Sequence, residues 1–400
     1  MHEPSSTRVP PHVPGHLLAD LDFFGVTAAD SDVHRAWKRI QDSHPDVFYT
    51  PRNGGHWIVA RAAEMERVIV DHETFPSTRS SIPPTEDVLG FSVLPINADP
   101  PEHTCYRGFI NPSFQPKALQ APVARARAIA RELLADLRPR GRCEFVRDFA
   151  QHLPPAVFLE MVDLPQADLP RLIPLGEVPR EPDHARRAAI YGELVDYLKF
   201  HIARRKAAPG ADLISRVIQG RVGERPMNDT EILGECVTVL LGGLDTVASM
   251  MGFIARFLAT DPHRRRLLAR DPALIPRVVP ELMRRHSVGQ STRRAARDLE
   301  IGGAAMRAGD RIWCPTWLHG LDERRWPNPL EVDFDRDATY HGAFARGVHR
   351  CPGAPLAMNE ITVFLQEWLA CIPEFEIEPG ATPEAASGQV LSMVRLPLAW

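Results

Sequence analysis

The chain lacks the features that mark several large classes of protein. Its 47 lysines and arginines nearly balance 51 aspartates and glutamates, leaving a formal net charge of −4, so no basic excess indicates binding to nucleic acid. The start, MHEPSSTRVPPHVPG, has no apolar stretch after a basic segment, so we predict neither a signal peptide nor an anchor. These absences favour a cytoplasmic protein, bound to no membrane, with a flexible arm over residues 1–15.

The six cysteines also lack any regular arrangement. They are widely scattered, and no two of them form a CxxC pair. This distribution is typical of a reducing compartment, so we expect no disulfide bond.

Segments with the pattern of β-strands are few and short. They are HWIVA (56–60), RIWCP (311–315) and the C-terminal VLSMVRLPLAW, too few for a central parallel sheet. Most of the remainder is helical in pattern, without an internal repeat, and is interrupted by 38 prolines. We predict a mainly α protein with a minor β part. The length of 400 residues fits one large domain or two smaller ones.

One predicted helix is much longer and more apolar than the others. Asn228 can cap it, Glu231 occupies the capping-box position, and the pattern continues to Thr260. Its centre, CVTVLLGGLDTVASMMGFIA, is long enough for a membrane span. Because Glu235 and Asp245 would be costly in lipid, we predict a buried helix through the core.

The glycines in the middle of this helix need an explanation. Gly242 and Gly243 each cost a helix about 1 kcal/mol relative to alanine. Either close packing against another helix or a large ligand beside the backbone accounts for them. Asp245 and Thr246 follow directly and favour a ligand, because buried polar groups need partners and a proton relay toward a ligand supplies them.

The stretch FARGVHRCPG, residues 344–353, places Cys351 in a glycine-rich turn before a helical run. A zinc site would need three more ligands, and only His349 is near. No other part of a thiol-enzyme signature is present, whereas a buried structural cysteine is the default. The turn and the following helix N-terminus can stabilise a thiolate. Such a thiolate is suited to be the axial ligand of a haem iron.

Together these segments resemble a bacterial cytochrome P450, most closely the camphor hydroxylase group. The resemblance runs from NGGHWIVA through DPPEHTCYRGFIN, LLGGLDTV, ELMRRHS and GLDER to the final LPLAW. It implies one cytochrome P450 domain over residues 1–400, mainly α, with haem b between the long central helix and the cysteine loop.

The resemblance also implies roles for individual residues. Cys351 is the metal ligand, Asp245 and Thr246 are catalytic and deliver protons on the oxygen side, and Glu281 and Arg284 form a structural pair. The remaining residues expected to bind the haem are Arg107, Arg293, His349 and His103 at its propionates, together with Gly243 and Phe344.

Three positions depart from the family pattern. Ala345 replaces a usual glycine, Pro352 replaces a residue with an N–H group, and Phe91 stands where the camphor hydroxylase group has a tyrosine hydroxyl for the substrate ketone. Gly289 enlarges the expected pocket. The other residues that the alignment places in the substrate pocket are Ile82, Val93, Thr238, Leu241, Gln389 and Val390.

The expected activity is that of a haem-thiolate monooxygenase, which inserts one atom of O2 into a C–H bond. The expected substrate is a small hydrophobic terpenoid or norisoprenoid ketone, such as an ionone. The expected electron donor is a [2Fe–2S] ferredoxin with an NAD(P)H-dependent reductase, and the expected state is a monomer. The alternatives are another oxidation on the same fold (epoxidation, desaturation or peroxide-driven chemistry) and a haem sensor without turnover.

Overall fold

A computed structural model describes residues 8–28, 32–84 and 89–400. Over these ranges the protein is mainly α-helical with a small β part, as predicted. The α-helices of the described residues are α1 (Val33–Ser43), α2 (Ala62–Val70), α3 (Glu102–Ile110), α4 (Gln120–Leu137), α5 (Leu153–Met161), α6 (Leu169–Leu172), α7 (His184–Ala207), α8 (Leu213–Ile218), α9 (Asp229–Leu244), α10 (Thr246–Thr260), α11 (Pro262–Arg270), α12 (Ile275–Arg285), α13 (Thr316–Gly320) and α14 (Ala354–Cys371).

The strands form one four-stranded sheet and several smaller ones. They are β1 (Val47–Thr50), β2 (His56–Val59), β3 (Arg142–Glu144), β4 (Arg221–Val222), β5 (Arg225–Pro226), β6 (Gln290–Arg294), β7 (Leu299–Ile301), β8 (Ala304–Met306), β9 (Arg311–Pro315), β10 (Glu376–Ile377), β11 (Glu384–Ala386), β12 (Ser392–Arg395) and β13 (Pro397–Ala399). The four-stranded sheet has the order β1-β2-β9-β6, and β10-β13-β3 is a second sheet. Strands β2 and β9 are parallel, with Trp57 opposite Ile312.

The predicted strand segments are confirmed. HWIVA contains β2, RIWCP is β9, and the C-terminal segment contains β12 and β13. Each segment is rich in β-branched or aromatic residues, whose side chains fit a pleated, half-buried surface.

Residues 8–15 of the predicted flexible arm lie in the described part of the chain, and some of them pack against the body of the protein. The His12 ring lies 2.8 Å from a carboxylate oxygen of Asp310, and Val13 is buried. The first seven residues lie outside the described ranges.

The long apolar helix is present but not continuous. Asn228 and Glu231 form the predicted capping box at the start of α9. The helix is then interrupted at Asp245, whose φ of −122° and ψ of −33° differ from helical values, and it resumes as α10. Among the described residues, Asp229–Thr260 is the one segment long and apolar enough to cross a membrane, and most of it is buried. A core helix satisfies the same test.

Glu281 and Arg284 form the predicted structural pair on α12. Both Arg284 Nε and Nη2 donate to the Glu281 carboxylate, at 2.7 and 2.8 Å, and both side chains are almost fully buried. Arg284 also donates to the carbonyls of Pro329 and Glu331. The pair thereby ties α12 to the loop that leads toward the cysteine turn.

Candidate active site

The turn before α14 holds Cys351 through its backbone. The Cys351 N–H donates to the carbonyl of Phe344 at 2.9 Å, which closes the loop. Gly347 has a φ of +66°, and a Cβ there would lie 3.2 Å from the Val70 Cα, so glycine is required for both conformation and space. Ala345 also has a positive φ, 53°. This conformation explains why glycine is usual in the family at that position.

The surroundings of the Cys351 thiol act on its pKa in opposite directions. Burial raises the pKa of the Cys351 thiol, while the N–H groups of Gly353 and Ala354 and the positive charge of Arg107 lower it. Hydrogen bonds and charges of this kind stabilise a thiolate. Cys351 retains accessible surface, so one side of the residue can be approached.

Four basic side chains from three parts of the chain meet near this loop. His103 and Arg107 lie one turn apart on α3, Arg293 comes from β6, and His349 precedes the cysteine. The His103 and His349 rings are 4.3 Å apart between centroids. Arg107 Nη1 donates to the Arg350 carbonyl at 2.8 Å, which joins α3 to the cysteine loop.

The basic cluster is suited to bind an anion. Burial is the main cause that lowers the pKa of His103 to about 4, and it also lowers the pKa of Arg293 and of His349. Asp99, whose carboxylate lies 3.9 Å from His349, is the acidic group beside them. In the described ranges, His103 Nε2 and Arg293 Nε are buried without a hydrogen-bond partner. Buried polar groups normally have partners, so these residues fit the two carboxylates of a haem.

The break in the long helix supplies a hydroxyl group. The Thr246 hydroxyl donates to the Gly242 carbonyl at 3.1 Å. Gly242 is exposed, and no atom lies within 4 Å of the position where its Cβ would be. Thr246 and Gly242 are four residues apart and therefore share a helix face, which leaves room for a flat ligand.

The resemblance implies that Gly243 lies beside the haem, and the structure shows that Gly243 also packs closely against another helix. A Cβ on Gly243 would lie 2.2 Å from the ring of Phe158 on α5. Its small size is therefore explained by close packing of α5 on α9. Gly242 is the glycine on the face that Thr246 shares.

Asp245 is buried at the break and holds three partners. Its carboxylate lies 3.2 Å from Arg180 Nη1 and accepts hydrogen bonds from the Ser249 and Ser392 hydroxyls, at 3.3 and 3.1 Å. The sequence analysis did not identify Arg180 or Ser392 as site residues. Arg180 stands 65 positions before Asp245 and Ser392 stands 147 after it, so no local pattern relates them.

The structure assigns the polar groups of the predicted pocket to contacts within the protein. Gln389 Nε2 donates to the carbonyl of buried Ile82 at 2.7 Å, and the Thr238 hydroxyl donates to the Gly234 carbonyl at 3.2 Å. The Gln389 amide and the Thr238 hydroxyl therefore each already donate a hydrogen bond to a backbone carbonyl. A Cβ on Gly289 would make only ordinary contacts of 3.7 Å, so a side chain fits there.

The remaining predicted residues are partly buried and pack against the hydrophobic core. They are Phe91, Val93, Leu241, Phe344 and Val390.

Comparisons with known proteins give the family. A family model described as Cytochrome P450 matches residues 273–398. The chain is 33% identical over 406 residues to “Probable cytochrome P450 127A1” of Sinorhizobium fredii (strain NBRC 101917 / NGR234), covering 98% of this chain and 97% of that protein. It is 29% identical over 398 residues to the mycinamicin IV hydroxylase/epoxidase of Micromonospora griseorubida, covering 95% and 97%. The chain therefore belongs to the cytochrome P450 family.

Solved structures agree with this assignment. The crystal structure of CYP101J2 has a TM-score of 0.88 and 37% identity, and that of CYP101C1 has a TM-score of 0.88 and 38% identity. Each comparison covers 98% of this chain and 100% of the other. The predicted resemblance to the camphor hydroxylase group is confirmed, and haem b is the cofactor of the family.

Proposed function

We propose that this cytochrome P450 monooxygenase hydroxylates a small terpenoid or norisoprenoid ketone, such as an ionone, with electrons from a [2Fe–2S] ferredoxin and its NAD(P)H-dependent reductase. The observation that carries the proposal is the combination of a cysteine loop, a cluster of arginine and histidine side chains beside it, and a broken helix with a hydroxyl and a carboxylate. Bound haem supplies O2 activation at an iron held by a thiolate.

The residues of this chain hold the cofactor in two ways. Cys351 provides the thiolate, which the N–H groups of Gly353 and Ala354 stabilise. Arg107, Arg293 and His349, with His103 beside them, provide positive charge and hydrogen-bond donors for the propionates. An arginine fork suits a carboxylate because it can donate two parallel hydrogen bonds.

Protons reach the oxygen side through the broken helix. The Thr246 hydroxyl is the group nearest the open face beside Gly242, and it can exchange its present acceptor, the Gly242 carbonyl, for a ligand. Asp245 is the residue directly before Thr246 in the chain and is oriented by Arg180, Ser249 and Ser392. A carboxylate and a hydroxyl in sequence are suited to general acid delivery.

The proposed substrate class is supported by the side chains that the alignment places in the substrate pocket. Phe91, Val93, Leu241 and Val390 are apolar, and the donors of Thr238 and Gln389 are used within the protein. Phe91 cannot donate the hydrogen bond that a tyrosine there would give to a ketone. An apolar molecule somewhat larger than camphor therefore fits the proposal, because Gly289 leaves additional room.

The ferredoxin is proposed to dock beside the cysteine loop. Arg350 is exposed there and can meet an acidic partner. Arg346 is less available, because its Nε lies 3.4 Å from Glu66 and its guanidinium packs on the Tyr340 ring. A monomer in the cytoplasm is part of the same proposal.

The central test concerns the thiolate. The purified protein is expected to bind haem and, when reduced under carbon monoxide, to show the strongly red-shifted absorption band of thiolate ligation. Cys351→Ala should abolish that band, whereas Cys371→Ala, at another partly buried cysteine, should leave it intact. A band that survives Cys351→Ala would show that a different ligand holds the iron.

The substrate and the donor need separate measurements. Ionones, camphor and related ketones should be screened for the low-spin to high-spin change of the haem spectrum. The ligands that produce it should then stimulate NADH consumption with a [2Fe–2S] ferredoxin and its reductase. Mass analysis of the products distinguishes hydroxylation from epoxidation or desaturation, and a lack of stimulated NADH consumption would favour a sensor.

A further inference from the structure

Arg187 on α7 is buried with most of its hydrogen-bonding capacity unused. The residue is 5% exposed. A guanidinium group has five N–H donors, yet among the described residues only one of them has an acceptor, the Glu181 carbonyl at 2.9 Å from Nη1. No carboxylate in those ranges lies within ion-pair distance of Arg187. Its guanidinium instead packs over the Phe24 ring, 5.7 Å from the centroid.

The nearby acidic groups are occupied by other residues. The Glu181 carboxylate lies 3.1 Å from Arg186 Nε, and Asp183 caps α7 by accepting from the Arg186 N–H. Tyr191 lies one turn beyond Arg187 and therefore on the same face. In the described part of the chain the Tyr191 hydroxyl has no hydrogen-bond partner, and burial raises the pKa of Tyr191.

The segment directly before α7 contacts residues of the candidate site. The Pro179 carbonyl accepts from the Gln389 N–H at 2.9 Å, and Arg180 pairs with Asp245. Glu181, the next residue, accepts from Arg187. The Glu181 carbonyl thus links the buried guanidinium of Arg187 to the segment that contacts Gln389 and Asp245.

We propose that Arg187, with the Tyr191 hydroxyl, binds a carboxylate on an otherwise apolar substrate. A carboxylate can accept two parallel hydrogen bonds from the free edge of the guanidinium and a third from Tyr191. The inference rests on the proposed monooxygenase function and widens its substrate class from ketones to terpenoid or fatty acids.

The test compares a matched pair of ligands, geranic acid and methyl geranate, which differ in charge but share one carbon skeleton. Binding to the holoenzyme is measured by equilibrium dialysis, which needs no turnover. The wild type should prefer the acid. Arg187→Met should weaken acid binding by roughly ten- to a hundredfold, the usual range for a charged hydrogen bond, and ester binding by less than about threefold.

Arg186→Met is the control, because it removes the same charge from the neighbouring, exposed position. It should leave acid binding unchanged, while Arg187→Lys should restore it in part. The proposal would be overturned if the wild type bound the acid no better than the ester. It would also be overturned if Arg187→Met lost affinity for the acid and the ester equally. The reduced carbon monoxide band of the same samples tests the proposed function separately and reports whether each variant has folded around haem.

Discussion

At the scale of single residues, Thr246 combines a hydroxyl with a position at the break of the long helix. Its Oγ1 lies 3.1 Å from the Gly242 carbonyl, so the side chain is already oriented toward the open face. Replacing it by alanine removes the hydroxyl without creating a large cavity.

We expect Thr246→Ala to bind substrate almost as the wild type does but to lose product per NADH by about tenfold, because proton delivery loses its hydroxyl. The missing reducing equivalents should appear as hydrogen peroxide or water. Product yield and peroxide are measured against NADH consumed. Thr246→Ser, which retains the hydroxyl, should couple well, and an unchanged yield in Thr246→Ala would rule out the assigned role.

Ala345 is a second residue whose backbone makes a prediction. Its φ of 53° lies in the left-handed region, where a Cβ costs roughly 1–2 kcal/mol. Ala345→Gly should therefore raise the free energy of unfolding of the holoprotein by up to about 1 kcal/mol, after the greater freedom of glycine in the unfolded chain is subtracted.

The control for Ala345 lies two positions earlier in the same loop. Among the described residues, Ala343 is not one of those with a positive φ. Ala343→Gly should therefore lower the free energy of unfolding by about 0.4–1 kcal/mol. Denaturant titration of both variants measures the two changes in the free energy of unfolding. An equal loss of stability in Ala345→Gly and Ala343→Gly would show that glycine at position 345 does not relieve backbone strain.

At the scale of secondary-structure elements, the break between α9 and α10 is held by contacts from two distant elements. Arg180 comes from the segment before α7, and Ser392 begins β12. Both contact the Asp245 carboxylate. The same Arg180 pairs through Nη2 with Glu177 at 2.6 Å, so its two ion pairs can be separated by mutation.

Arg180→Met should slow the substrate-stimulated reaction by about tenfold and increase its solvent isotope effect, because Asp245 loses the group that orients it for proton transfer. Glu177→Gln removes the other ion pair and should change neither quantity. A purely structural role for Arg180 would lower stability without altering the isotope effect. Steady-state rates in H2O and D2O distinguish these outcomes.

At the scale of the whole molecule, Glu281 and Arg284 connect regions far apart in sequence. Besides Arg284, Glu281 accepts from Arg336 Nε at 3.2 Å and from the Asp333 N–H at 3.0 Å. Arg284 in turn donates to carbonyls at 320, 329 and 331. The pair is therefore the centre of a network between α12 and the segment that precedes the cysteine loop.

Arg284→Met should lower the free energy of unfolding by about 3–5 kcal/mol, because a buried carboxylate and several carbonyls lose their partner. Haem content should fall with it. Arg336→Met removes a more peripheral contact of the same carboxylate. It should lower the free energy of unfolding much less than Arg284→Met does. Guanidinium titration and haem absorbance are the measurements, and equal losses in the two variants would argue against a central role for Arg284.

The sequence alone determined the features that depend on neighbouring residues. The capping box at Asn228, the strands β2 and β9, and the glycine turn around Cys351 are encoded by side chains a few positions apart. Caps, alternating strands and tight turns follow from local hydrogen bonding and backbone sterics. The long helix was recognised for the same reason, although its break was not.

The tertiary structure alone decided which of the two central glycines of that helix is covered by another element. Gly242 and Gly243 are equivalent in sequence, but Phe158 packs on one and leaves the other open. Arg180 and Ser392 contact the Asp245 carboxylate although both are far from it along the chain. Such contacts depend on how helices pack in three dimensions, which short-range patterns do not specify.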